Sequence, residues 1–284
     1  MCRILVALLC LVALGCRSST EPETSLQVSD TDSVTVIDVR FHSSAIAGVV
    51  WYRIVTPKVS PNEHLPVLYL LHGANSNPAE IMERSEVVKL STMHRLITVI
   101  PDADFSYYTN AKHKRHAQWE EVIAQDLPRD VETPFQTLPG REHTGVAGIS
   151  MGGYGAAKLA LKHPESYAFV GIMSGALDIT RREASLQRWG QTWRIWTIFG
   201  IRPSARRDED VFDMVDRRPQ NHNITWFESC GKDDPLLGTN ERFAHRLRSR
   251  GANVHVLTTP GGHDWNSWNA AMSELFVGAD NSLR

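Results

Sequence analysis

Apolar and polar positions follow two rhythms along this chain. Residues 34–41 and 48–55 alternate or run in β-prone types on either side of a polar turn, which predicts an antiparallel pair at a sheet edge. Residues 57–66, bounded by prolines, read as a loop, and the unbroken apolar run 67–71 has the pattern of a strand covered on both faces. Beyond it strands and helices take turns: a helix over 79–90, a strand over 96–100, a helix over 119–131 in spite of Pro128, a strand over 145–149, a helix over 152–161 and a strand over 167–173. Strands at 224–230 and 253–257 flank a helix over 240–250 that Gly251 stops, and a last helix covers 265–276. Such interleaving predicts an α/β fold with a mostly parallel central sheet, right-handed crossovers and helices on both faces. Residues 177–221 break the rhythm. They bring Trp189, Trp193, Trp196, Ile198 and Phe199 and then the charged run 206–210, and are expected to form an inserted helical cap whose tryptophans serve packing.

The first 33 residues are of another kind. Behind Met1-Cys2-Arg3, residues 4–14 form an apolar stretch of signal-peptide length, too short to cross a bilayer as a stable helix. Gly15-Cys16 closes it in a way that resembles a bacterial lipoprotein cleavage box, although Leu14 is bulkier than the usual residue there and Ala13 replaces the more typical leucine. The expectation is a signal peptide over 1–16, lipid on Cys16, a polar linker over 17–33 and one domain over 34–277. The protein would then be exported and held at a bacterial cell envelope by lipid, the alternative being a periplasmic or secreted form.

Composition narrows the classes of function. A formal net charge of −2 over 284 residues gives no electrostatic case for nucleic acid. Of four cysteines only Cys230 lies in the domain, so no internal disulfide can form there. His222, His245 and His255 are scattered without zinc-like spacing and no cofactor fingerprint occurs, so no metal or cofactor is expected.

The chemistry concentrates at Gly148-Ile149-Ser150-Met151-Gly152, a G-x-S-x-G sequence between a buried strand and a helix. A serine on so sharp a turn needs small neighbours, and its hydroxyl is pushed out above a helix N-terminus where the Met151 amide has no intrahelical partner. A serine hydroxyl also needs a base, and that base a third group to hold its tautomer. His263 leaves the end of the last strand on a Gly-rich loop, and Asp233 and Asp234 leave the end of the strand before; between these two carboxylates chemistry alone does not choose. The order Ser, Asp, His is that of α/β-hydrolases, each member lying just past the carboxyl end of a strand. After the strand 67–71 comes His72-Gly73-Ala74. There Gly73 allows close approach, the Ala74 amide is the second candidate oxyanion donor beside Met151, and His72 reads as structural. Gly73 and Trp265 are the candidate substrate-binding positions, and the basic run 112–116 reads as a solvated loop.

With these segments assembled, the sequence resembles the esterase D branch of α/β-hydrolases, the Putative esterase family, which includes S-formylglutathione hydrolases, feruloyl and acetyl esterases and mycolyltransferases. The likeness rests on 67–73, Tyr107-Tyr108-Thr109-Asn110, 119–123, 148–156, Cys230-Gly231-Lys232-Asp233-Asp234 and Gly262-His263-Asp264-Trp265. It implies an α/β-hydrolase fold and a serine esterase acting on small acyl or carbohydrate-linked esters, and it aligns the acid with Asp234. Pro235 departs from the aromatic or aliphatic residue usual at that place. An acyltransferase with the same three residues and a tethered binding module without chemistry are the rival readings; oligomeric state is not legible.

Overall fold

The computed structural model describes residues 24–181, 189–217 and 223–284. The leader expected over 1–16, its Cys16, the first part of the linker and His222 lie outside the described residues. Among the described residues, no helix is long and apolar enough to cross a membrane.

The described residues carry nine strands in one sheet: β1 (Thr24–Asp30), β2 (Val34–Ser43), β3 (Gly48–Pro57), β4 (Val67–Leu71), β5 (Ile97–Pro101), β6 (Thr144–Ile149), β7 (Phe169–Met173), β8 (Thr225–Gly231) and β9 (Asn253–Thr259). Their spatial order is β1-β2-β3-β5-β4-β6-β7-β8-β9. The pairs from β1 to β3 and β3 with β5 are antiparallel, and every pair from β5 to β9 is parallel. The antiparallel hairpin therefore extends a parallel sheet, as the alternation in 34–55 implied. The edge was placed one strand short, however. Thr24–Asp30, assigned to a polar linker, runs antiparallel to β2 with a register shift between Gln27 and Ser29. An exposed strand edge offers unpaired N–H and C=O groups, and this segment satisfies them with main-chain bonds that need no apolar run.

Helices cover both faces. On one lie α1 (Pro78–Arg84), α2 (Val87–His94) and α10 (Trp265–Ser282), which bury Ile81, Val87, Leu90, Met272, Leu275 and Phe276 against β4 to β8. The other carries α3 (Trp119–Glu121), a π-turn (Val122–Asp126), α4 (Leu127–Glu132), α5 (Met151–Lys162) and α9 (Leu237–Ser249). Two single-helix expectations are thus divided. The helix over 79–90 stops at Ser85, whose hydroxyl and amide both turn back to the Ile81 carbonyl, and restarts as α2. The helix over 119–131 widens by one residue ahead of Pro128, which relieves the clash a proline ring makes with the preceding turn. The last helix runs past 277 to Ser282, where Leu283 is fully buried.

The described parts of the insertion are helical, as expected: α6 (Trp189–Phe199), α7 (Pro203–Arg206) and α8 (Val211–Arg217). Phe199 packs edge-on against Tyr107 and Tyr154 with centroids 5.6 and 5.8 Å apart, and the Tyr154 hydroxyl donates to the Glu209 carbonyl at 2.6 Å. Packing does not account for all its tryptophans, since Trp193 is 57% exposed.

Candidate active site

Steric pressure at the β6–α5 turn is severe. Ser150 has φ 57° and ψ −108°, strained for a non-glycine residue. A Cβ on Gly148 would come within 2.3 Å of the Gly152 backbone, and one on Gly152 within 2.1 Å of the Leu71 carbonyl oxygen. Both glycines are there because strand, turn and helix meet with no room for a side chain. The Ser150 amide is tied to the Met173 carbonyl at 2.8 Å, which leaves the hydroxyl partly exposed at the carboxyl end of the sheet.

Two further loops converge on it. Ser150 Oγ lies 2.9 Å from His263 Nε2, and His263 Nδ1 lies 2.8 Å from Asp234 Oδ2. The carboxylate can only accept, so Nδ1 carries the proton and Nε2 is free to accept from the serine. Asp234 is settled as the partner over Asp233, which is exposed and whose amide donates instead to the Gly261 carbonyl at 3.0 Å. The His263 side chain is 32% exposed while that of Asp234 is fully buried. Burial raises the Asp234 pKa, yet the hydrogen bonds from His263 and from the Leu236 amide, 2.8 Å from Oδ1, outweigh it and hold the carboxyl below its ordinary range. Close approach of the two loops depends on Gly231, where a Cβ would fall 2.5 Å from the Gly261 carbonyl oxygen. Burial, then the charge of Asp234, push the Cys230 thiol up to about 12, so it stays protonated and puts no second anion beside the carboxylate. Pro235 leaves this geometry intact.

The Gly73–Ala74 turn beside the serine is held from behind. His72 is fully buried; its Nδ1 bonds the Gly73 carbonyl at 2.7 Å, and its Nε2 accepts from the Ala103 amide at 3.1 Å. It is structural, as its place in the sequence suggested, but with a consequence. Across a trans peptide the C=O and N–H point in opposite directions, so fixing the Gly73 carbonyl turns the Ala74 N–H the other way. Neither the Ala74 nor the Met151 amide donates to a described residue. Gly73 sits close to the serine, with a Cβ there reaching Ser150 Cβ at 3.7 Å, an ordinary contact that does not by itself require glycine.

A cleft of about 400 Å³ opens over Ser150 and His263, lined also by Gly73, Ala74 and Trp265. Sequence reasoning missed four of its other residues, Glu80, Arg84, Asn75 and Trp268. Trp268 had a signal, since it follows Trp265 by three positions on one helix. Residues 112–116 are all exposed and do not line the cleft. Among the described residues no group of acidic, cysteine and histidine side chains could hold a metal ion.

A family model described as Putative esterase matches residues 43–277. The acetyl esterase of Caldicellulosiruptor saccharolyticus is 24% identical over 259 residues, covering 86% of this chain and 97% of that protein. An esterase of Mycobacterium tuberculosis is 27% identical over 252 residues; the match takes in 79% of this chain and 54% of that one. Among solved structures, the fluorophosphonate-binding serine hydrolase F of Staphylococcus aureus superposes with a TM-score of 0.77 at 22% identity, over 88% of this chain and 99% of that one. The S-formylglutathione hydrolase of the same organism gives 0.72 at 21%, over 89% and 100%.

Proposed function

The chain belongs to the Putative esterase family and is a serine carboxylic-ester hydrolase with the α/β-hydrolase fold, and from that premise we propose that Ser150, His263 and Asp234 carry the reaction through an acyl-enzyme. The observation that carries this reading is the unbroken run of hydrogen bonds from Ser150 Oγ through the His263 ring to Asp234. Ser150 Oγ attacks the ester carbonyl carbon while Nε2 takes its proton. The carbonyl oxygen gains the charge and is met by the amides of Ala74 and Met151, a stabilisation of about 3 kcal/mol for each donor. Nε2 then returns the proton to the departing alkoxide, and the alcohol leaves. Water repeats the sequence on the acyl-serine and frees the acid. Asp234 keeps the ring in the tautomer that can accept and stabilises the imidazolium.

The substrates are small acyl or carbohydrate-linked esters, a reading supported by the open cleft and by the acetyl esterase among the relatives. The apolar stretch 4–14 ending in Gly15-Cys16 supports export, with Cys16 the lipid-bearing residue; palmitate incorporation in wild type and not in Cys16→Ser checks it.

The decisive experiment is labelling with a fluorophosphonate probe alongside turnover of p-nitrophenyl acetate. Wild type takes up the probe and turns the ester over; folded Ser150→Ala does neither. A Ser150→Ala protein that hydrolyses the ester at the wild-type rate removes the serine from the mechanism.

A further inference from the structure

One buried side chain joins the serine turn to the loop of its acid. Asn240 lies near the start of α9 and is 2% exposed. Its Oδ1 accepts from the Gly175 amide at 2.8 Å, and its Nδ2 donates to the Gly175 and Leu236 carbonyls, both at 2.9 Å. These partners fix which way the amide points, since the flipped form would set N–H against N–H and oxygen against oxygen. Gly175 is itself buried, and among the described residues nothing else bonds either of its main-chain groups.

Gly175 belongs to the segment that grips the nucleophile. The Ser150 amide donates to the Met173 carbonyl at 2.8 Å, and the Ser150 carbonyl accepts from the Ala176 amide at 3.0 Å. Between these two contacts Ser174 has φ 49° and gives its amide to the Ser229 carbonyl at 2.7 Å. Ser150 and Ser174 thus both stand at positive φ, a strain that persists only where surrounding bonds over-determine it. On the acid side the Leu236 amide donates to Asp234 Oδ1 at 2.8 Å, and the Leu237 amide to the Asp234 carbonyl at 3.0 Å. The carbonyl of that same Leu236 is the one Asn240 holds. We propose that Asn240 is a positioning residue for the reaction, holding the serine turn and the acid loop in one frame so that His263, fixed by Asp234, stays within reach of Ser150 Oγ. An apolar side chain of equal size would fill the space but leave both main-chain groups of Gly175 buried without partners, and the strained turn could relax. Asn240 does not line the cleft, so it acts on the rate and not on substrate affinity.

This role rests on those given to Ser150, His263 and Asp234, and the experiment keeps the two apart. Steady-state kinetics with p-nitrophenyl acetate, the rate of fluorophosphonate labelling and the melting temperature are measured for wild type, Asn240→Ala, Asn240→Ser and Phe243→Leu. Phe243 lies three residues along the same helix and packs edge-on against Phe212 and Trp226, so its variant reports what a loss of stability does by itself. Asn240→Ala lowers kcat per folded molecule about thirtyfold with KM within about twofold, and labelling slows in proportion. Phe243→Leu also melts lower but keeps kcat within about twofold. Asn240→Ser returns its hydroxyl to the Leu236 carbonyl four residues back and leaves Gly175 unpaired, so its kcat falls nearly as far. It is the variant to read if Asn240→Ala does not fold. A kcat within about threefold of wild type in a folded Asn240 variant, an equal fall in Phe243→Leu, or a rise in KM in place of the fall in kcat overturns the positioning role. Probe uptake by wild type leaves the serine mechanism standing in each of these cases, and a wild type that takes up no probe overturns both.

Discussion

Helix α5 carries two polar clusters, and they are built on opposite rules. At its N-terminus, Ser150 is strained and partly exposed, and its hydroxyl has one partner among the described residues, His263. Two turns along, Lys158 is completely buried and spends its three protons on the Tyr108 carbonyl at 2.7 Å, Thr109 Oγ1 at 3.0 Å and Glu120 Oε2 at 2.8 Å. Lys162 bonds the same Glu120 oxygen at 2.8 Å and Glu209 Oε1 at 3.0 Å, and His163 lies 3.3 Å from Glu120 Oε1. One cluster leaves room for a reacting atom; the other has none. On the proposed mechanism, reactivity follows from incomplete satisfaction at a strained turn, and rigidity from near-complete satisfaction inside.

The sharpest way to break this contrast is to leave both shapes alone and change one atom of the reactive chain. Asp234→Asn keeps the side chain's size, but its amide can donate to Nδ1 and so put the ring proton on Nε2, where it blocks acceptance from the serine. We expect kcat/KM for p-nitrophenyl acetate to fall by about 10³ to 10⁴ with the melting temperature within a few degrees of wild type. A fall of less than tenfold would show that Asp234 does not set the tautomer.

The buried cluster should respond in the opposite sense. Lys158→Met removes the cation that Glu120 and Glu209 face and leaves the Tyr108 carbonyl without its partner. The loss is expected near 3 kcal/mol of unfolding free energy by urea titration. Turnover per folded molecule should stay within about a factor of three, since the serine turn does not depend on that ammonium. A variant equally stable but inactive would mean that the network sets the serine's position after all.

Much of the reactive cluster was legible in the chain because it obeys local rules. G-x-S-x-G at a strand-to-helix junction and two loops leaving successive strands suffice to bring Ser150, Asp234 and His263 to one rim, and the parallel sheet could be read from its alternation of elements. Less local features were hidden. β1 pairs through its main chain and carries no apolar run, so it looked like a linker. Glu80 and Arg84 approach Trp265 only because α1 docks on α10, some 185 residues later. Nothing in the run 225–231 marks Glu228 as fully enclosed, with neither oxygen bonded among the described residues and with burial holding its carboxyl well above the ordinary range.

Between the clusters in size of effect stands Gly231→Ala. The added methyl would sit 2.5 Å from the Gly261 carbonyl oxygen and 2.6 Å from that of Gly262, so the loops bearing Asp234 and His263 must part. A displacement near 1 Å at the imidazole costs about 10² in kcat, with a smaller stability loss than Lys158→Met. Probe labelling should slow in proportion. An unchanged rate would show that the loops can separate without moving His263 from the serine.

The smallest difference to resolve is in acid. Burial raises the pKa of both Asp234 and Glu120, and in both the hydrogen bonds from His263, or from His163, Lys158 and Lys162, outweigh it, so both carboxyls are depressed in the folded state. A depressed carboxyl contributes stability above its unfolded value, near pH 4, and loses it as the pH falls through the folded value, because the unfolded chain takes up protons first. Unfolding free energies measured by urea from pH 7 to pH 3 should therefore decline below about pH 4. The depression of Glu120 is the larger, so Glu120→Gln should flatten that decline more than Asp234→Asn, whatever either does to the plateau at pH 7. If Asp234→Asn flattened it more, the reactive carboxylate would hold the greater electrostatic share of the fold, and the division between a poised cluster and a structural one would fail.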